Sequence, residues 1–335
     1  MSETMDRAPS APPPFRPSLG LRSAFLQTIV GTAPVWVTRP PAERMRVPVD
    51  GGAIHVHVTF CASERAPVVL LVHGIGGASD SLYMLRAVAP LLAAGYHVAR
   101  LDLRGAGESL ADAPSLYHAG LSSDLDAVAA YLATDARVSA VALLGFSLGG
   151  NLVLKLASEW GAAPPSYARA VVAISPLVDL GPTSTALETR ATTVYRVYVV
   201  RSLLAMAQSF SRRHPSRAID LTGLSARSTV RDYDRAVVVP MHGFGTVERY
   251  YQSASAGPKL GAITVPTLFA FAKDDPMIPL RTVEPWAAKA SPAVRVLYTD
   301  RGGHVGWFES LSREGFERTW GIRRALEHFK AAFSR

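Results

Sequence analysis

Short runs of consecutive apolar residues recur through the chain, and most are followed by a stretch with helical spacing. Residues 67–72, 98–103, 140–146, 170–175, 266–272 and 294–299 read in this way as strands. The most apolar of them, such as Val68-Val69-Leu70-Leu71-Val72, have no polar side chain at alternate positions. That predicts strands covered on both faces, as in a parallel sheet. Earlier, residues 44–49 and 54–60 alternate polar and apolar positions on either side of Asp50-Gly51-Gly52, which predicts a hairpin. Helices are expected over residues 81–94, stopped by Gly95, over 124–132, after Gly149, and over 320–333, with a shorter one within 21–30. From Pro176 to about Val265 the strand–helix rhythm lapses.

The alternation predicts an α/β protein with a mainly parallel twisted sheet flanked by helices, and no internal repeat interrupts it. The lapse, rich in Arg, Tyr and Val, reads as a largely helical lid inserted over the strand ends at about 177–262. Residues 1 to about 15, rich in Pro, Ala and polar residues, are expected to be a disordered tail. One domain then covers 16–335. The apolar content of 48% and charged content of 19% suit a globular chain with a sizeable core.

The formal net charge is +8, carried mostly by arginine, but the basic residues are scattered and trace no phosphate backbone. A nucleic-acid partner is not expected. The start of the chain has no basic segment leading into an apolar core, so no secretory signal is read. The apolar stretch at 194–207 is interrupted by Arg196 and Arg201 and falls short of a membrane span. A cytoplasmic protein is the expectation. The single cysteine, Cys61, excludes an internal disulfide and any multi-cysteine metal site, and reads as a small residue at a strand end. His55 and His57 share a strand face without a third ligand nearby, so they read as half-exposed strand residues and no metal is expected.

Two glycine-rich loops invite nucleotide readings and fail them. In His73-Gly74-Ile75-Gly76-Gly77 the third glycine of a dinucleotide fingerprint would fall at position 79, which is Ser79. Residues 104–109 lack the Gly-Lys-Ser/Thr ending of a P-loop. No organic cofactor is expected.

The stretch Gly145-Phe146-Ser147-Leu148-Gly149-Gly150 carries a different signal. A serine inside Gly-x-Ser-x-Gly, after a buried strand and before a helix, is a nucleophile elbow: the turn is strained and the two elements pass too close for side chains at the glycines. A serine hydroxyl needs a base within hydrogen-bond reach, and the base needs a third group to orient it. His304, among the glycines of Arg301-Gly302-Gly303-His304-Val305-Gly306, follows the strand at 294–299. Asp275 follows the strand at 266–272 and directly precedes Pro276, which favours it over Asp274 and Asp179. Both of those stay open as alternatives. The backbone N–H groups of Leu148 and Ile75 are the candidate oxyanion donors, each worth about 3–4 kcal/mol of barrier.

These residues resemble the YheT-like group of the α/β-hydrolases. The likeness rests on Leu26-Gln27-Thr28-Ile29, His73-Gly74-Ile75-Gly76-Gly77, Arg104-Gly105, Tyr117-His118-Ala119-Gly120 with Asp124-Leu125, the Ser147 elbow through Asn151, His242-Gly243-Phe244 with Tyr250-Tyr251, Asp274-Asp275-Pro276 and Gly302-Gly303-His304-Val305-Gly306. It spans roughly residues 15–335. The resemblance implies an α/β-hydrolase fold and the catalytic roles already read for Ser147, Asp275 and His304. The expected activity is hydrolysis of a small-molecule ester or lipid through an acyl-enzyme. Acyl transfer or thioester cleavage by the same serine is the first alternative, and ligand binding without chemistry the second. The aromatic residues Tyr195, Tyr198, Phe210, Phe244, Tyr250 and Tyr251 of the lid suggest an apolar acyl group.

Overall fold

Residues 13–334 are described by the structure, a computed structural model; residues 1–12 of the expected tail lie outside them. Pro13 and Phe15 are packed on the body: the Pro13 carbonyl accepts from Trp320 Nε1 at 2.9 Å, and the Phe15 ring lies edge-on to Trp320.

Eight strands form one sheet: β1 (Glu43–Val49), β2 (Gly52–Thr59), β3 (Ala66–Val72), β4 (His97–Asp102), β5 (Val138–Phe146), β6 (Ala168–Ile174), β7 (Thr267–Ala272) and β8 (Val294–Thr299). Their spatial order is β1-β2-β4-β3-β5-β6-β7-β8. The hairpin β1–β2 and the β2–β4 pair are antiparallel, and every other pair is parallel. Helix α1 (Ala24–Val30) precedes the sheet, while α2 (Leu82–Ala93), α3 (Ser122–Ala133) and α4 (Leu148–Trp160) cross between its strands. The segment between β6 and β7 contains α5 (Leu180–Ala186), α6 (Thr193–Arg213), α7 (Val230–Tyr233), α8 (Val239–His242) and α9 (Val247–Ala254), and no strand. Short α10 (Glu284–Ala287) and α11 (Arg313–Glu317) lead to the closing helix α12 (Trp320–Phe333).

The apolar runs of β3, β5 and β7 are consecutive because these strands are buried on both sides, whereas the run at 294–299, read as another buried strand, forms the edge strand β8, which is only partly buried. On β3, Val68, Leu70 and Val72 join an apolar cluster that includes Leu125 and Val128 of α3 and Leu152 of α4. Their neighbours Val69 and Leu71 join another, with Met84 and Val88 of α2 and Ile322 and Phe329 of α12. The same split divides Val141 and Leu143 of β5 from Ala142, Leu144 and Phe146. A polar residue at any of these positions would have no solvent-facing side to turn to.

The histidine pair on β2 is tied to carboxylates. His55 Nε2 lies 2.7 Å from Asp112, and His57 Nε2 lies 3.2 Å from Asp102. Cys61 is half-buried with its thiol toward the Gly95 carbonyl.

Candidate active site

Chain geometry at the β5–α4 junction dictates its residues. Ser147 has φ 54° and ψ −116°, a conformation that L-residues rarely hold, and its amide donates to the Ile174 carbonyl of the neighbouring strand. A Cβ on Gly145 would fall 2.2 Å from the Gly149 carbonyl oxygen, and one on Gly149 would fall 2.3 Å from the Val72 oxygen. Only glycine fits at either place. Helix and strand therefore cross at backbone distance, and Ser147 stands at the strand's carboxyl end, 8% exposed.

Two loops from neighbouring strand ends meet that hydroxyl. His304 Nε2 lies 2.9 Å from Ser147 Oγ, and His304 Nδ1 lies 2.7 Å from Asp275 Oδ2. The other Asp275 oxygen accepts the amides of Met277 and Ile278, both at 2.9 Å, so its buried carboxylate is fixed at both ends. Asp274 instead accepts the Gly303 amide at 2.9 Å and holds the histidine loop, and burial raises its pKa above the ordinary carboxylate value. Asp179 accepts from the Trp286 indole. Of the three acids, Asp275 alone has a hydrogen bond to the His304 ring among the described residues.

Leu148 is the first residue of α4, where an amide has no intrahelical acceptor. The Ile75 amide sits in a loop whose other amides are occupied. Gly74 N–H donates to the Tyr83 hydroxyl at 2.8 Å, and Gly76 N–H donates to the Tyr117 hydroxyl at 2.7 Å. Between them, the Ile75 amide has no acceptor among the described residues. Burial pushes the Tyr83 phenol up to about 12 and raises Tyr117 as well, which keeps both hydroxyls protonated. His73, buried, holds the loop's start: its Nδ1 is 2.8 Å from the Gly74 carbonyl and its Nε2 accepts the Leu103 amide. Burial lowers its pKa, favouring the neutral ring that this pairing requires.

Gln27-Thr28 on α1 buttresses the histidine loop. Thr28 Oγ1 accepts the His304 amide at 3.0 Å, and the fully buried Gln27 side chain bonds both backbone groups of Phe308, at 2.9 and 2.8 Å. Ser175 accepts the Val305 amide. The remaining segments that carry the resemblance also converge. The His118 ring packs on His242 and Phe244, Tyr250 accepts the Ala119 amide, and Asn151 spans from α4 to Ala119, Ala254 and Ala256. Sequence reasoning did not assign the two tyrosine clamps, because they depend on which loops the sheet brings together.

Ser147, His304, Ile75 and Leu148 open on one cavity, walled largely by apolar residues of the β6–β7 segment, including Leu177, Leu180, Leu187, Val199 and Val230. Of the aromatic residues singled out in the sequence, Tyr250 and Tyr251 line it. Tyr195 faces Phe25, Phe210 is buried beside His214, and Tyr198 is exposed. One carboxyl lies in the wall: Asp234, at the start of a single π-helical turn, accepts from the Tyr251 hydroxyl at 2.6 Å. Burial pushes its pKa up to about 7.

The family model for the alpha/beta hydrolase fold matches residues 67–311, and the chain belongs to the α/β-hydrolases. Within them it falls in the YheT-like group. It is 27% identical over 304 residues to YheT of Escherichia coli (strain K12), covering 88% of this chain and 86% of that one. It is also similar to phospholipase ABHD3 of Homo sapiens, 24% identical over 91% of this chain and 76% of the relative. The esterase Pf2001 of Pyrococcus furiosus shares the fold, with a TM-score of 0.57 and 16% identity over 96% of this chain and 99% of that one.

Proposed function

We propose that the protein cleaves carboxylic esters with apolar acyl groups, lipid esters among them, through an acyl-enzyme on Ser147. The observation that carries this reading is the line from Asp275 through His304 to Ser147, with separations of 2.7 and 2.9 Å, ending in an apolar cavity. The esterase name of YheT and the phospholipase name of ABHD3 support ester chemistry.

Ser147 Oγ attacks the ester carbonyl carbon and passes its proton to His304 Nε2, while Asp275 holds Nδ1–H and stabilises the imidazolium. The amides of Leu148 and Ile75 receive the negative oxygen of the tetrahedral intermediate, and the positive end of α4 adds to them. Collapse expels the alcohol, which takes the proton from His304. Water, deprotonated by the same nitrogen, then releases the acid. The segment at 177–262 acts as a lid that lends its apolar side chains to the acyl group.

A fluorophosphonate probe tests this directly. The wild-type protein is expected to be labelled and to hydrolyse p-nitrophenyl esters of graded chain length, while Ser147→Ala does neither. Folded wild-type protein that takes no label would overturn the reading.

A further inference from the structure

Most of the large apolar side chains that stand in solvent lie on two segments. Phe25, Leu26, Ile29 and Trp36 are on or just behind α1, and Val194 and Tyr198 are on α6. Trp36, Val194 and Tyr198 are 50%, 62% and 60% exposed, too much for residues that merely fray at the edge of a core. The two segments adjoin: the Phe25 ring lies 6.4 Å from that of Tyr195, the residue after Val194. A groove along α6 runs past Val194, Val197, Tyr198 and Arg201. Concentrated exposure of this kind marks a binding face, since scattered apolar residues need no explanation but a contiguous set does.

Charge says what kind of face it is. Residues 13–42 contain no Asp or Glu and include Arg16, Arg22 and Arg39. Residues 189–219 likewise contain none and include Arg190, Arg196, Arg201, Arg212, Arg213 and Arg217. Two acidic groups reach the region from outside these segments: Asp80, paired with Arg39 at 3.5 Å, and Glu309, which accepts the Arg16 amide at 3.4 Å. Arg16, Arg22, Arg190 and Arg201 are exposed. Apolar side chains beside arginines, with acidic residues excluded from both segments, complement the boundary between phosphate headgroups and acyl chains. No helix of the described residues is long and apolar enough to cross a membrane, so the contact is with the surface.

The position suits access to the site. Helix α1 supplies Thr28 to the His304 amide, and Ser202 of α6 lies against Gly76 in the loop that holds the Ile75 amide. We infer that the face formed by α1, the chain behind it and the first half of α6 docks on an anionic phospholipid bilayer. Docking itself does not depend on the chemistry of Ser147; that it delivers lipid esters to Ser147 rests on the function proposed above.

Vesicle co-sedimentation tests it, with phosphatidylcholine vesicles against vesicles mixed with phosphatidylglycerol. Wild type and Ser147→Ala are both expected to bind the mixed vesicles and to bind the neutral ones far less. Trp36→Ser and Val194→Ser should each weaken binding roughly tenfold, because each removes one apolar side chain from the buried set. Arg201→Glu should weaken it too, and Tyr131→Ser, an exposed aromatic on α3, should not. Hydrolysis of a soluble short-chain ester by Trp36→Ser and Val194→Ser should stay at the wild-type rate, showing that they fold. Binding by Trp36→Ser and Val194→Ser equal to that of wild type would overturn the proposal, reducing the attraction to positive charge. So would failure of the wild type to bind mixed vesicles, whatever its esterase activity. Where a serine variant unfolds, the wild-type tryptophan emission decides: docking shifts it to the blue on mixed vesicles, and an unchanged spectrum refutes the contact.

Discussion

At Asp275 the two carboxylate oxygens do different work: one faces the His304 ring and the other holds the amides of Met277 and Ile278. Asp275→Asn preserves the shape but presents an amide nitrogen or a neutral oxygen to Nδ1, so the imidazolium loses its counter-charge. We expect kcat on a soluble ester to fall about ten-thousandfold, as for such changes in related triads. Asp274→Asn keeps an oxygen for the Gly303 amide and should cost less than about tenfold. Similar rates for the two variants would count against Asp275 as the orienting acid. Tyr117→Phe leaves the Gly76 amide without its acceptor and loosens the loop beside Ile75. About 1–3 kcal/mol of stability should be lost, and kcat should fall with KM little changed. At this scale the sequence was most readable where sterics allow one residue type, as at Gly145 and Gly149. It was silent on Tyr83 and Tyr117, because a tyrosine that clamps a distant loop has no local signature.

Among the elements, the β5–α4 unit was legible because an apolar run, a glycine-flanked serine and a helical run are contiguous in the chain. The β6–β7 segment was legible only in kind. Its helices could be anticipated from the loss of alternation, but which aromatic residues face the cavity depends on how each helix is turned. Tyr250 and Tyr251 line the cavity while Tyr198 faces solvent. The π-helical turn at Asp234–Val238 has no sequence pattern of its own. Helix α1 shows how much one short element can hold. Gln27→Leu strips partners from both backbone groups of Phe308 and from the Leu21 carbonyl, all buried by this side chain. At about 1–3 kcal/mol per stranded group, the denaturant midpoint should fall well below that of wild type. Thr28→Val should leave stability nearer to wild type and act on kcat through the His304 amide.

For the molecule as a whole, Asp234 couples stability to pH. Its carboxyl ionises near 3.8 when free and at about 7 in the folded protein, because burial penalises the charge. The folded state therefore holds the extra proton between those values, and this group's contribution to stability declines as pH rises through that window. Asp234→Asn should flatten the decline and be more stable than wild type above about pH 7, by at most about 4 kcal/mol for a shift of this size. Urea midpoints at about pH 5 and about pH 8 would show it; a parallel drop in both proteins would exclude Asp234 as the cause. The direction of the main sheet was readable from the apolar runs, but the buried acid was not, since nothing around position 234 announces enclosure. The bonds from α1 to the His304 loop bridge 276 and 281 positions. Helix α1 is made early in synthesis, yet it cannot find its partners until nearly the whole chain has emerged. Long-range closures of this kind form slowly, so esterase activity on refolding should return later than helical circular dichroism. Turnover would then serve as a clock for the last step of folding, one that Thr28→Val should run slow.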